Sequence, residues 1–275
     1  MNEIVSYFAT IPSAHRSLIL VCGITLFWLI ENAFPLFKFN YKKWNHASIN
    51  IFLTLTTILI NFSLAFLLLK TSDWTILNHF GVLQWLSPMP LWLFALIGLL
   101  LLDLIGAYLV HLIEHKVKFL WRFHIIHHSD TWVDTTTANR HHPGESIIRF
   151  VFTTLGVFIV GAPMWMIFMY QTLSVVSTQF THANIKLPTK LDTFLSHFLV
   201  SPNMHKIHHH YILPYTDSNY GNIFSIWDRL FGTFMTMPKE EIIYGIDSHL
   251  NINQHNKLRN LLKIPFEKAQ INQKR

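Results

Sequence analysis

The chain is 275 residues long, with 51% hydrophobic against 13% charged residues, a balance that excludes a disordered chain and an ordinary soluble globule. With 23 Phe, 9 Trp and a mean hydropathy of +0.32, its apolar surface calls for a bilayer as solvent. The net charge of +6 lies in short basic groups beside apolar stretches, which is the pattern of membrane topology and gives no reason to expect nucleic acid as a partner.

In chain order, a first span is predicted at about residues 17–37, carrying Glu31 and Pro35 near its end and followed by Lys38, Lys42 and Lys43. It lacks a small-residue cleavage site, so it reads as a retained span. Two more spans are predicted at about 49–69 and 91–111, the latter followed by Lys116, Lys118 and Arg122. The next apolar run is too long for one crossing and is broken at Gly161, Ala162 and Pro163, which predicts a helical hairpin with arms at 147–161 and 164–181. The positive-inside rule places 112–146 and 182–237 on the cytoplasmic side as a histidine-rich helical cap, with 238–275 as a tail. The expectation is one all-α integral membrane domain over 1–275 with four to five transmembrane helices. Its membrane would be the bacterial inner membrane or, in a eukaryote, the endoplasmic reticulum. The lone Cys22 excludes an intrachain disulfide and any cluster built on several thiolates.

Histidine is the compositional anomaly: 18 residues, more than the 15 carboxylates, concentrated between 111 and 210. His111 and His115 are four apart at the end of the third span, so a helix sets both imidazoles on one face. Asp103, eight residues earlier, is expected on that face, accepting from a ligand imidazole or from Tyr108. The segments His124-Ile125-Ile126-His127-His128 and His205-Lys206-Ile207-His208-His209 share one spacing, which lets each present three nitrogens to a common centre. A histidine tract that merely scavenges metal fits poorly, because the segments are interleaved with Trp, Phe and Asp and separated by the hairpin. His142 and His182 can complete the set; His141 and His210 each extend a cluster by one. His15, His46, His79, His197, His249 and His255 have no such company. Ten nitrogens oversupply one metal and suit two.

These residues resemble the three histidine boxes of the fatty acid hydroxylase and sterol desaturase superfamily. The likeness runs through Leu120-Trp121-Arg122-Phe123-His124, Thr137-Ala138-Asn139-Arg140, His142-Pro143, His182-Ala183-Asn184, Pro202-Asn203-Met204-His205, Asp217-Ser218-Asn219-Tyr220-Gly221 and Trp227-Asp228-Arg229-Leu230-Phe231-Gly232-Thr233. It covers roughly residues 95 to 237. The resemblance implies a four-helix membrane core under a cytosolic histidine-rich lid, two iron ions, dioxygen as oxidant and an external electron donor of cytochrome b5 or ferredoxin type. It implies His111, His115, His124, His127, His128, His142, His182, His205, His208 and His209 as ligands, with a lipid (sterol, fatty acyl, sphingolipid or alkylglycerol) as substrate for hydroxylation or desaturation. Zinc is a possible substitute for iron in purified protein. Leu112 stands where the family often has Arg.

Asp134, Glu145, Asn184 and Asp228, with Asp103, are the candidates for orienting the ligand imidazoles; for Asn203 and Asp217-Ser218-Asn219 a turn is at least as good a reading. A rival class is a zinc hydrolase, because His111-Leu112-Ile113-Glu114-His115 satisfies H-x-x-E-H with Glu114 as general base. It leaves both triplets without work. A metal transporter would place its ligands near the bilayer midplane, whereas these follow the spans.

Overall fold

A computed structural model describes residues 1–248 and 255–267. The chain is helical, and among the described residues β-structure is limited to isolated bridges such as Pro35 to Ile185. A short helix α1 (Asn2–Ala9) precedes α2 (Ser13–Ala33), which stops ahead of Pro35, where the residue before proline is driven out of the helical region. The next helix, α3 (Lys43–Leu77), is 35 residues long and exceeds the predicted 49–69 at both ends. Its extra turns are held by packing and not by lipid: His46 and Ala47 are buried at one end, and at the other Ser72 Oγ donates to the Ala162 carbonyl at 2.8 Å.

After the single turn α4 (Val82–Trp85), α5 (Leu91–Asp103) runs through a six-residue π-helical stretch (Leu104–Leu109) into α6 (Val110–Lys116). Then follow α7 (Lys118–His128) and a 3-10 turn (Thr135–Asn139), whose N-terminus Asp134 caps by accepting from Thr136 N at 2.8 Å. The predicted hairpin is formed by α8 (Pro143–Val160) and α9 (Met164–His182). Its turn needs Gly161, which sits at φ +69° with Phe80 O only 2.5 Å from where a Cβ would stand. Short helices α10 (Thr189–Ser196), α11 (Pro202–His208) and α12 (Ile226–Leu230) complete the histidine-bearing end.

Among the described residues, four helices are long and apolar enough to cross a membrane: Ser13–Ala33, Lys43–Trp85, Leu91–Lys116 and Pro143–Val160. The chain is thus an integral membrane protein, with α9 as a further, more polar helix beside the four. The membrane core centres on Leu68, Leu102, Val157, Val160, Met166 and Ile167. A second core joins Leu53, Ile125 and Ile126 to Leu261 and Ile264, contributed by α13 (Leu258–Leu261) and a 3-10 turn (Ile264–Phe266). This part of the predicted tail therefore packs onto α7 behind the second histidine box; residues 249–254, with His249, and 268–275 lie outside the described residues.

Helix α2 packs on α9, while α3 packs on α8. A cavity of about 730 Å³ lies among these four helices. It runs from Arg16, Phe66 and Phe168 to His127, His182 and His205.

Candidate metal centre

The imidazoles gather at one end of the bundle in two clusters, His111, His115, His124, His128 and His208 in the first, and His127, His182, His205 and His209 in the second. Within each cluster the candidate ligand atoms all lie within 4.8 Å of one another, and every one of these residues is buried. Neither triplet serves a single centre. At 100° per residue, positions i and i+4 of a helix diverge by only about 40°, while i+3 points about 100° away from i+4. Accordingly α7 gives His124 and His128 to the first cluster and His127 to the second; the α11 segment does the converse, giving His205 and His209 to the second and His208 to the first.

The rings are aimed by their Nδ1 atoms. His111 Nδ1 meets the Tyr220 carbonyl at 2.8 Å, His208 Nδ1 the Ser218 carbonyl at 2.7 Å and His182 Nδ1 the Thr178 carbonyl at 2.8 Å. A carbonyl only accepts, so each of these rings is protonated at Nδ1 and carries a bare lone pair at Nε2. Carboxylates do the same for His115, which meets Asp217 at 3.1 Å, and for His124, which meets Glu145 at 2.7 Å. The Nε2 atoms of His111, His115 and His208 are buried with no hydrogen-bond partner. In the second cluster, His182 Nε2 faces the Nε2 atoms of His127, His205 and His209 at 3.1, 3.0 and 3.2 Å. Nitrogens held 2.0–2.1 Å from a tetrahedral ion lie about 3.3–3.4 Å apart, close to this spacing.

Converging lone pairs in a dry interior are repulsive unless a cation sits among them. Burial first, and the neighbouring imidazoles second, hold His124, His127, His128, His205, His208 and His209 well below the ordinary protonation range. They are neutral rings, the state a metal requires. On donor type, tautomer and convergence, each cluster fits a transition-metal ion.

The other residues singled out from sequence fall in different places. His142 lies outside both clusters: it is the N-cap of α8, its Nδ1 accepts from Gly144 N at 2.9 Å, and its ring packs on Phe123 and Phe266. Its neighbour His141 stands nearer, with its ring 5.2 Å from that of His127. Asp103 touches no ligand imidazole and not Tyr108; it accepts from the Ile223 and Phe224 amides and from Trp227 Nε1 at 3.1 Å. The π-helical stretch between Asp103 and His111 is the reason, since i→i+5 bonding alters the rotation that an eight-residue α-helical spacing assumes. Asp134 accepts from Tyr41 at 2.8 Å and lies 3.3 Å from His46 Nδ1, and Asn184 is bonded to the Phe37 backbone. Asp228 acts at one remove: it accepts from the Tyr220 and Gly221 amides and so fixes the peptide whose carbonyl holds His111.

Three features carried little sequence signal. Asp217, read equally as a turn residue, does begin an extended exit from a 3-10 turn and also bonds His115. Burial works against its carboxylate, but the hydrogen bonds from His115 and Lys116 bring it down to about 2. Arg149, in the hairpin, clamps Glu114 at 2.6 Å and Glu145 at 3.0 Å. Trp121 lays its indole 4.7 Å from the His115 ring and 5.3 Å from that of His128.

A membrane-embedded bundle that ends in two buried all-imidazole clusters beside a deep cavity is a membrane protein built so that it could hold metal ions. The sequence profile of the fatty acid hydroxylase family matches residues 95–233, which is half of the chain, and the chain belongs to that family. It is 29% identical over 163 residues to the ornithine lipid hydroxylase OlsE of Rhizobium tropici, covering 59% of this chain and 46% of the relative. Alkylglycerol monooxygenase of Xenopus tropicalis is 30% identical over 169 residues, 62% of this chain and 35% of the relative. Methylsterol monooxygenase 1 of Rattus norvegicus is 24% identical over 148 residues, 53% of this chain and 49% of the relative. The chain thus spans less than half the length of each of these relatives. No solved structure matches it.

Proposed function

We propose that this protein is a di-iron monooxygenase that hydroxylates an aliphatic position of a membrane lipid, with dioxygen as oxidant and electrons from an external donor, its metal centre on the cytoplasmic side. The observation that carries the reading is the convergence of imidazole lone pairs into two adjacent clusters, the second of which opens onto the cavity through His127, His182 and His205. The relatives support it, being named for hydroxylation or monooxygenation of an ornithine lipid, an alkylglycerol and a methylsterol.

His111, His115, His124, His128 and His208 would hold one ion, and His127, His182, His205 and His209 the other. Iron bound there supplies the activation of dioxygen: one oxygen atom enters a C–H bond and the other leaves as water, with two electrons and two protons taken up. What the chain itself contributes is position and dryness. Phe62, Phe66, Leu69 and Phe168 line the cavity's distal part and suit a hydrocarbon chain, while Thr57, Asn61, Ser174 and Asn222 offer hydrogen bonds to a polar linkage. Ser174 and Asn222 are held ready by a 2.6 Å bond between them, and Thr178 Oγ1 donates to Asn222 at 2.9 Å. Phe62 and Phe66 line the cavity and are also exposed on the bundle's outer face, so a lipid would reach the cavity sideways from the bilayer. Enclosure by the bundle keeps bulk water from the reacting carbon.

The H-x-x-E-H hydrolase reading loses support from Glu114, whose carboxylate is spent on Arg149 and lies 3.8 Å from His124 Nδ1. The test is lipid profiling of cells with and without the protein under ¹⁸O₂, together with metal analysis. A lipid gaining one labelled oxygen, in membranes whose purified protein binds two irons per chain, is the expected outcome. Ester or amide cleavage by protein holding one zinc per chain would overturn it.

A further inference from the structure

The two clusters face different surroundings. Residues of the second cluster line the cavity, whereas of the first only His111 does. The opposite side of the first cluster is covered by Trp121, whose indole lies 4.7, 5.3 and 6.0 Å from the rings of His115, His128 and His124. Trp121 is partly exposed and seated on the core formed with Leu261 and Ile264. A second short link leads to the same imidazole: Asp217, with 24% of its side chain exposed, joins the surface Lys116 at 2.8 Å to His115 at 3.1 Å. Both links surface within one basic patch. Lys116, Lys118 and Arg122 are exposed along the α6–α7 corner, and Lys263 is exposed on the segment packed against α7. Among the described residues, Asp217 is paired with Lys116, and the backbone carbonyl of Glu267 accepts from Arg122 at 3.3 Å.

We propose that this patch is the docking surface for an acidic, soluble one-electron carrier protein, and that Trp121 and the Asp217–His115 link couple the docked carrier to the first cluster. The inference rests on the di-metal oxygenase reading above. Each turnover takes two electrons, so two carrier molecules are each oxidised by one electron in succession, and the two protons come from water. Charge complementarity favours an acidic partner here. Aromatic and hydrogen-bonded contact to a ligand ring favours a redox partner over a purely structural one. The arrangement also separates traffic: electrons arrive at one cluster and lipid at the other.

The probe is an acidic [2Fe–2S] ferredoxin, with the full-length iron-loaded protein in nanodiscs of zwitterionic lipid. Binding is measured against ionic strength, and oxidation of pre-reduced ferredoxin is followed by stopped-flow absorbance without lipid substrate. The double variant K118E/R122E is expected to bind ferredoxin at least tenfold more weakly and to lose most of the salt dependence, while K38E/K42E binds as the parent does. Trp121→Leu is expected to bind normally but to oxidise ferredoxin about tenfold more slowly, with Trp121→Phe restoring part of the rate. Unchanged binding in K118E/R122E overturns the docking surface, as does a loss seen only as weaker association with anionic phospholipid vesicles. A parental oxidation rate in Trp121→Leu overturns the route. If binding and oxidation behave as expected but no lipid product forms, even with dithionite as a chemical reductant, the oxygenase reading fails and the docking surface stands.

Discussion

The two histidine clusters are drawn from the same motifs, yet they are held differently. In the first, four of the five rings are anchored through Nδ1: His111 and His208 by carbonyls, His115 and His124 by carboxylates. In the second, His182 is anchored by the Thr178 carbonyl, whereas the Nδ1 atoms of His127, His205 and His209 are buried without a partner. Rings fixed at both nitrogens resist reorientation; rings fixed only by a shared ion depend on that ion. The better-anchored cluster touches the cavity only through His111. The one with the softer frame is where a lipid would arrive, and there some freedom of the rings costs least.

The sharpest way to break this contrast is to remove a candidate ligand from the second cluster. His182 is the hub of its cluster, with three Nε2 neighbours within 3.2 Å. His182→Ala is expected to lower bound iron from two to one per chain and to reduce product formation by roughly 10³-fold, read by elemental analysis and mass spectrometry of lipids. Loss of both irons would mean that the clusters are coupled more tightly than their separate anchoring suggests.

The next effect concerns the anchors themselves. Glu145→Gln leaves His124 in place but replaces one oxygen of a buried carboxyl that also binds Arg149 at 3.0 Å. A weakening of metal affinity by about 10- to 100-fold, confined to one of the two ions, is expected from competition with a chelator. Equal weakening of both would erase the distinction between the clusters.

How much of this was legible in the sequence follows from local geometry. The boxes could be read because the His-x-x-His-His spacing is meaningful on any helix, and both segments are largely helical. The 1:2 exchange between α7 and α11 depends on which helix faces which, and that is a tertiary fact. Asp103 was misplaced because nothing in Leu104–Leu109 announces a π-helical stretch. His142 carried its own warning in Pro143: a residue before a proline at the first helical position is an N-cap, with its side chain turned to the helix end. The spans were legible as apolar windows, but α3 overran its window because buried contacts at its ends extend a helix beyond the lipid-like composition. The docking of the segment 255–267 against Ile125 and Ile126 is long-range packing that no local pattern encodes.

That docking allows the framework of the first cluster to be tested apart from its ligands. Leu261 is fully buried against α7. Leu261→Ala is expected to destabilise the histidine-bearing end by about 2–4 kcal/mol through lost transfer energy and a residual cavity. Thermal unfolding in detergent would show it as a lower midpoint, and iron loss on heating should begin with one ion and not with both together.

The smallest effect is expected at the far end of the cavity, where the proposed lipid's chain and not its reacting carbon would be held. Ala65 lines the cavity from α3 and touches no histidine cluster. Ala65→Phe adds a ring to a space of about 730 Å³ already shaped by Phe62 and Phe66. Iron content should stay at the parental level, because neither the anchors nor the ligands change. A modest fall in kcat/KM, about three- to tenfold, is expected for long-chain lipids, with shorter chains less affected, since one or two methylenes in an apolar pocket are worth about 1–3 kcal/mol. The discriminating measurement is product yield across a series of chain lengths at constant iron loading. A uniform loss at every length would place the reacting chain outside this cavity and would remove the reason for assigning the lipid to the second cluster's side.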